Sequence, residues 1–445
     1  MIALIKTLQV ILALSILILV HEFGHFAFAK MFGIRVDKFF LFFDAGNIKL
    51  FSTKSGWFAR LFPKAKEWDT EYGIGWLPLG GYCKIAGMID ESMDTDYLKT
   101  EAQPWEFRSK PAWQRLCVMA GGVFFNFIFA ILMYISILAG WGEAYISNEG
   151  NSIYVNDLAY EMGFRNGDRI ISFDDYVPEN FAMLQADLAR HTTHKATVIR
   201  GEDTLGIYID HSMIGDVLQS PGMFDLAREF IVSQIAETSP NSGADICEND
   251  RIIRIAGEEV TYIQDAWPVL EEHRNEAVQV ELIRGTDTLA RSLQVDSTGR
   301  LGVFIAQPEI TRREYSIAEA IPAGFRKTFS TIGEYLQDLK LVATPSTEAY
   351  KSVGSFIAIG QIFPAKWDWY SFLNIIALLS IMLGVMNLIP VPALDGGHIL
   401  FTVYEMITGR KPSDRFLYAA QLVGMLLIFA LMFLAFGNDI SRLFR

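Results

Sequence analysis

The chain has 445 residues, is 51% hydrophobic and 20% charged, and carries a formal net charge of −13 at pH 7. The hydrophobic fraction is high for a soluble protein but low for a chain made only of membrane spans, which predicts a few spanning helices joined to a water-soluble part. The acidic excess lies in residues 141–369 and argues against nucleic acid as a partner. The three cysteines are scattered, so neither a disulfide framework nor a cysteine zinc site is indicated.

The first apolar run carries no charge between Val10 and Val20. A run of about 20 apolar residues is long enough to cross a bilayer. A cleaved signal peptide would have a shorter apolar core and a small-residue cleavage site, whereas this run continues into Val20-His21-Glu22-Phe23-Gly24-His25. The sequence therefore predicts a first transmembrane helix over residues 1–32.

His21 and His25 are four residues apart, so on a helix both imidazoles face one side and can bind one ion. Glu22 lies about 100° further round the helix, where it can reach a water on that ion. His-Glu-x-x-His is typical of zinc metalloproteases, in which two imidazoles bind Zn²⁺ and the glutamate is the general base. A satisfied histidine pair in a soluble core is the alternative. Because ionisable residues inside a spanning helix are costly, we favour a buried metal site.

Residues 33–114 follow as a segment rich in aromatic residues and glycine. Within the segment, the alternating apolar residues and Gly-Gly of Tyr72-Gly-Ile-Gly-Trp-Leu-Pro-Leu-Gly-Gly-Tyr82 predict a β-hairpin or a pair of short strands. At membrane depth, over residues 70–87, a free strand edge could pair with an unwound substrate segment. An ordinary surface hairpin is the alternative. The candidate substrate-binding residues here are Gly75, Trp76, Leu77, Pro78 and Leu79.

The second apolar run, residues 115–141, predicts a second transmembrane helix. Gly121 and Gly122 would let another helix approach closely. Asn126 requires a polar partner, which is either a packing hydrogen bond or a contact with the substrate backbone or the active site. We favour the second and predict that Asn126 binds substrate.

Two similar units follow, residues 142–225 and 226–310, about 80 residues apart. Each contains an Asp-Arg-Ile-Ile strand, beginning at Asp168 and Asp250, then a helical stretch and two β-type runs. The pattern resembles PDZ domains, which bind extended peptides along a sheet edge. Two small β-domains that act as steric filters are the alternative.

The C-terminal third contains an amphipathic helix within residues 311–369 and further apolar runs at 370–394 and 417–437. The third run ends in Asn387-Leu-Ile-Pro-Val-Pro-Ala-Leu-Asp-Gly-Gly-His398, where the prolines must end the helix. Zinc needs a third protein ligand, and we predict Asp395, with His398 as the competitor and helix capping as the alternative role of Asp395. Residues 395–416 are predicted to be a short cytoplasmic loop, and residues 438–445 a tail.

The paired motifs resemble the site-2 protease family of intramembrane zinc metalloproteases, of the bacterial regulator-of-sigma-E-protease type. The resemblance implies zinc ligands at His21, His25 and Asp395, Glu22 as catalytic base, and Asn387 as a substrate-positioning residue. It also implies single-pass membrane substrates already trimmed by another protease, such as anti-sigma factors or signal-peptide remnants. The family often has Gly-Pro before the asparagine of the second span, whereas Val123 follows Gly122 here.

The predicted fold class is a polytopic α-helical membrane protein with four transmembrane helices, a membrane-associated β-hairpin or sheet, and two inserted PDZ-like α+β domains. The basic residues of the 395–416 loop favour the cytoplasmic side, which predicts a bacterial inner-membrane protein with its PDZ-like domains outside the cytoplasm. A catalytically inactive scaffold with peptide-binding PDZ domains is one alternative function. A zinc transporter is another, but it would need a polar path through several spans, which the sequence does not show.

Overall fold

The computed structural model describes residues 2–78, 80–88, 101–354 and 356–443. The chain forms two compact units. The helical unit comprises Met1–Gly142, Glu314–Lys340 and Lys351–Arg445, and the inserted unit comprises Glu143–Arg313 and Leu341–Tyr350.

The helical unit begins with a long apolar helix, a small sheet and a second long apolar helix. Its elements are α1 (Ile2–Met31), β1 (Val36–Leu41), β2 (Lys49–Ser52), α2 (Gly56–Leu61), β3 (Glu71–Gly75), β4 (Tyr82–Ile85) and α3 (Ala112–Trp141).

The sheet has the strand order β2-β3-β1-β4, so residues 72–82 contribute to a pair of short strands, as one of the two expected alternatives, and do not form a hairpin. β3 runs parallel to β1 on one side, and β4 runs antiparallel to β1 on the other, so β3 and β4 do not pair with each other. The connection between them passes the end of β1, where Leu77 bridges Phe43. Alternation of apolar residues predicts which faces a strand presents, but it does not predict the neighbouring strand.

The inserted unit contains short strands and short helices. They are β5 (Glu143–Tyr145), β6 (Ile153–Val155), α4 (Asp157–Glu161), β7 (Arg169–Phe173), α5 (Leu184–Arg190), β8 (Lys195–Arg200), β9 (Asp203–Tyr208), α6 (Ile214–Gln219), β10 (Phe224–Leu226), β11 (Val232–Ile235), β12 (Arg251–Ile255), β13 (Glu258–Glu259), α7 (Ile263–Glu272), β14 (Ala277–Arg284), β15 (Asp287–Gln294), β16 (Val303–Ile305) and β17 (Thr311–Arg313).

The sequence repeat corresponds to a structural repeat inside this unit. An antiparallel β7-β8-β9 sheet with α5 in its first connection has its counterpart in β12-β14-β15 with α7. Asp168 and Asp250, both fully buried, directly precede the equivalent strands β7 and β12. Each pairs with an arginine at the end of the next long strand, Arg200 or Arg284. Each repeat also has its own hydrophobic cluster, one centred on Phe164 and Phe173 and the other on Ile255 and Val280.

The chain returns to the helical unit through α8 (Ile317–Ala343), which matches the expected amphipathic helix, and continues with α9 (Phe356–Ile362), α10 (Trp369–Leu388), α11 (Asp395–Thr408) and α12 (Asp414–Leu443). Residues 395–416 are therefore not simply a loop, because α11 takes up most of them. Among the described residues, four helical segments are long and apolar enough to cross a membrane: α1, α3, α10 and Arg415–Ser441 of α12. This agrees with the predicted number of such helices.

Candidate metal centre

The histidine pair lies on α1, where His21 and His25 are both almost fully buried. α1 and α3 approach each other at Gly24, because a β-carbon added there would strike the backbone of Gly121. On α3, a β-carbon added at Gly122 would lie 2.5 Å from His25 Nε2 and 2.6 Å from His21 Cε1. Glycine at position 122 therefore leaves room for the two imidazoles.

The third side chain of the site, the Asp395 carboxylate, lies at the break between α10 and α11. α10 ends at Leu388, and the turn that follows contains two prolines and Ala393, whose φ is 92°. A positive φ is strained for a residue with a β-carbon and is maintained only where the surrounding structure requires it. Asp395 is the first residue of α11, and the adjacent glycines, Gly396 and Gly397, pack directly against the turn backbone.

His21, His25 and Asp395 converge on one point. His21 Nε2 and His25 Nε2 are 3.3 Å apart, and Asp395 Oδ2 lies 3.3 Å from the first nitrogen and 3.4 Å from the second. Among the described residues, these three side chains are the group of histidine, cysteine and carboxylate residues close enough together to hold an ion. His398 lines the same cavity but does not belong to this group.

The dimensions of this triangle fit zinc. Bonds of about 2.0–2.1 Å in a tetrahedral arrangement place neighbouring ligand atoms about 3.3–3.4 Å apart, as the three measured separations are. In addition, Asp395 Oδ2 is buried and has no hydrogen-bond donor among the described residues. An uncompensated buried carboxylate oxygen is unfavourable, and a cation at the centre of the triangle would remove that penalty.

The opposite ring nitrogens of the two histidines contact α3. His25 Nδ1 lies 2.9 Å from the Val118 carbonyl oxygen, and His21 Nδ1 lies 3.1 Å from the side-chain amide of Asn126. Asn126 is fully buried. Asn126 therefore contacts the candidate site, which is one of the two contacts expected of it, and its predicted contact with substrate stays a prediction.

A cavity of about 900 Å³ opens from the triangle and is lined by Glu22, Asn387 and the β4 strand, among other residues. The Cys83 backbone amide faces the Glu22 carboxylate. Burial raises the pKa of the Cys83 thiol well above its ordinary value, and the charge of Glu22 raises it further. Cys83 does not belong to the group of side chains that converge closely enough to hold an ion.

Other predicted residues occupy different places. Leu77 lines the cavity, and Asn387 Nδ2 lies 3.3 Å from His21 Nε2. Gly75 packs against the Phe42–Phe43 backbone, and the half-exposed Trp76 donates a hydrogen bond to the Ala45 carbonyl. Pro78 is not among the residues that line this cavity, and Leu79 lies outside the described residues.

Sequence reasoning missed the supporting groups on α3 and β4. The Val118 carbonyl and the Cys83 amide belong to the backbone, so their residue types give no signal. The sequence predicts Gly122 as a small packing residue, but its contact with the histidines depends on the fold.

Comparison with known proteins agrees with this geometry. The sequence model of peptidase family M50 matches residues 9–431. The chain is 27% identical to "Regulator of sigma-E protease RseP" of Escherichia coli, with 97% of this chain and 98% of the relative covered. It is 28% identical to the protein of the same name in Salmonella typhimurium, with the same coverage. It is 26% identical to "Putative zinc metalloprotease" of Xylella fastidiosa, with 97% of both chains covered.

The four apolar helices and the RseP relatives support a multi-pass protein of the inner membrane. Because the family match covers nearly the whole chain, the protein belongs to peptidase family M50 and is a zinc-dependent metalloprotease.

Proposed function

We propose that the protein hydrolyses peptide bonds within or near the transmembrane segments of single-pass membrane proteins, after a first cleavage by another protease. The observation that carries this proposal is the position of the triangle, which includes two residues of an apolar helix of spanning length. The proposed substrates are anti-sigma factors and signal-peptide remnants; of these, only a link to sigma-factor regulation is suggested by the name "Regulator of sigma-E protease RseP" of two relatives.

In this proposal His21, His25 and Asp395 hold the zinc ion. When bound, zinc acidifies a water molecule and polarises the substrate carbonyl. Glu22 lines the same cavity and accepts a proton from the attacking water. The water oxygen bonds to the carbonyl carbon, the carbon–nitrogen bond breaks, and Glu22 returns the proton to the departing amine nitrogen.

Asn387 is proposed to position the substrate carbonyl. Its side-chain amide lines the cavity and lies 3.3 Å from His21 Nε2, at the edge of the triangle. A donor held there can hydrogen-bond the oxygen on which negative charge develops during attack. Because Asn387 lies in the last turn of α10, its position depends on the same helix end that positions Asp395.

Substrate is proposed to bind as an added strand beside β4. In the described sheet β4 is an edge strand, and residues 80–85 line the cavity. A transmembrane helix keeps its carbonyls in internal hydrogen bonds, so a substrate must unwind before attack. Pairing with β4 would replace the hydrogen bonds lost on unwinding.

The inserted unit is proposed to consist of two PDZ-like domains that bind peptide C-termini or extended segments on the extracytoplasmic side. The support is its repeated strand order, together with the matched Asp168–Arg200 and Asp250–Arg284 pairs. A domain that accepts only trimmed segments would exclude substrates that still carry a bulky outer domain.

The test uses full-length protein in detergent and a tagged single-pass membrane peptide. Wild type should bind zinc and cut, whereas Glu22→Gln should bind zinc and cut at least about 100-fold more slowly. Asp395→Ala should lose zinc, and His398→Ala, the matched control from the same helix, should retain it. Unchanged cleavage by Glu22→Gln would refute the proposed base, and unchanged zinc content in Asp395→Ala would refute the ligand set.

A further inference from the structure

The two proposed histidine ligands are both supported from α3. Each imidazole directs Nε2 at the triangle and Nδ1 at this helix, at Val118 for His25 and at Asn126 for His21. A histidine that binds a metal through Nε2 carries its proton on Nδ1, so Nδ1 must donate. The Val118 carbonyl is a suitable acceptor.

The Asn126 amide places a donor where His21 Nδ1 needs an acceptor. The amide nitrogen of Asn126, which is itself a donor, lies 3.1 Å from His21 Nδ1. The amide oxygen of the same side chain is buried and has no partner among the described residues. Oxygen and nitrogen of an amide are assigned from their hydrogen bonds. Turning this amide by 180° gives His21 an acceptor and leaves one buried amide atom unpaired, as before.

The location of Asn126 also makes it a fixed support. The residue is fully buried, and the Ser380 hydroxyl on α10 donates a hydrogen bond to its backbone carbonyl at 2.8 Å. That bond ties this turn of α3 to the helix that ends beside Asp395. Asn126 is not among the described residues that line the cavity, so its side chain meets His21 instead of the open space.

We propose that Asn126 is a positioning residue, whose side-chain oxygen accepts the His21 Nδ1 proton and thereby sets the ring orientation and tautomer for zinc. This inference rests on the proposed ligand set, because it requires His21 to bind zinc through Nε2. It assigns to Asn126 a role in metal affinity in place of substrate contact.

The experiment measures zinc affinity by chelator competition on full-length protein in detergent, without reference to cleavage. Asn126→Leu keeps the approximate volume but removes the acceptor, and we expect zinc to bind about 10–100-fold more weakly. Asn126→Asp has an oxygen at both positions, and we expect wild-type or tighter binding. The two variants separate an oxygen acceptor from an amide donor, since a required donor would make both variants weak.

The cobalt(II)-substituted proteins give a second readout. Their visible spectra should change in Asn126→Leu and remain close to wild type in Asn126→Asp, because the spectrum reports the ligand geometry. Zinc affinity of Asn126→Leu equal to that of wild type would overturn the inference, as would a tenfold or greater loss in Asn126→Asp. If Asn126→Leu does not fold, Asn126→Ala, which also lacks the acceptor, takes its place with the same expected loss of zinc affinity.

His21→Ala distinguishes a failure of this inference from a failure of the proposed function. If His21→Ala retains wild-type zinc affinity, the proposed ligand set is wrong, and the role of Asn126 fails with it. If His21→Ala loses zinc while Asn126→Leu does not, only the positioning role is overturned.

Discussion

Replacement of Gly122 by alanine tests whether helix packing determines the metal geometry. The new β-carbon would lie 2.5 Å from His25 Nε2 and 2.6 Å from His21 Cε1. Non-bonded heavy atoms approach to about 3.5 Å, so the rings or the helix must shift by about 1 Å. A functional metal site tolerates ligand displacements of only about 0.2 Å.

The magnitude follows from the energy of the whole site. Zinc binding to structural sites contributes about 10–16 kcal/mol over all ligands. Because those sites have four protein ligands, displacement of one ligand removes about 2.5–4 kcal/mol, a roughly 70-fold or larger loss of affinity. The free energy of unfolding changes in the opposite direction, because alanine is favoured over glycine inside a helix by about 0.5–1 kcal/mol.

The assay is a chelator competition for zinc on purified protein, with melting of the metal-free protein as the folding control. Gly140→Ala is a matched control, because a β-carbon there meets nothing within 4 Å. Gly121→Ala perturbs the contact with Gly24 and Phe28, and so tests whether separating α1 from α3 displaces the ligands without a direct clash with the histidines. If Gly122→Ala folds and binds zinc with wild-type affinity, the contact does not control the ligand geometry.

Two further predictions concern buried ion pairs. Arg115 on α3 pairs with Glu405 on α11, with side chains only 9% and 18% exposed. Arg115→Leu or Glu405→Leu alone should destabilise the metal-free protein by about 3 kcal/mol, because each leaves a buried charge unpaired. The double leucine variant should melt at a temperature closer to that of wild type. Single variants that melt like wild type would show that the pair is unimportant. In the inserted unit, the hydrogen-bonded guanidinium of Arg284 lowers the pKa of Asp250, although burial opposes the shift. The stabilisation is therefore present above the unfolded-state pKa of about 3.9 and is lost as the pH falls through the pKa of Asp250 in the folded protein. The melting temperature of Asp250→Asn should lie below that of wild type at pH 7, and the two melting temperatures should converge in acid.

The sequence was most informative where the signal is local. Apolar runs of spanning length predicted the helices, and the four-residue spacing of His21 and His25 placed both rings on one face of α1. The repeat predicted the β12 strand and the α7 helix within a few residues, because alternation and helical periodicity depend on neighbours in the chain. The proline break before Asp395 was likewise local.

What the sequence could not provide depends on contacts between distant segments. β1 inserts between β3 and β4, and α11 starts directly after the proline turn instead of leaving a loop. The buried position of Asn126 depends on which face of α3 meets α1, and an apolar helix with little periodicity does not reveal that face. These features required the assembled fold.

Close backbone contacts bring the ligand-bearing segments together. α1 meets α3 at Gly24, and α11 meets the end of α10 at Gly396, where a β-carbon would strike the carbonyls of Leu388 and Ile389. In lipid, apolar helices gain no hydrophobic driving force from each other, so their association depends on close packing at small residues. Gly24 directly precedes His25, and Gly396 directly follows Asp395, so neither contact can change without moving a ligand. The ligand spacing is therefore a property of helix packing, and any substitution that widens either contact should also widen the triangle.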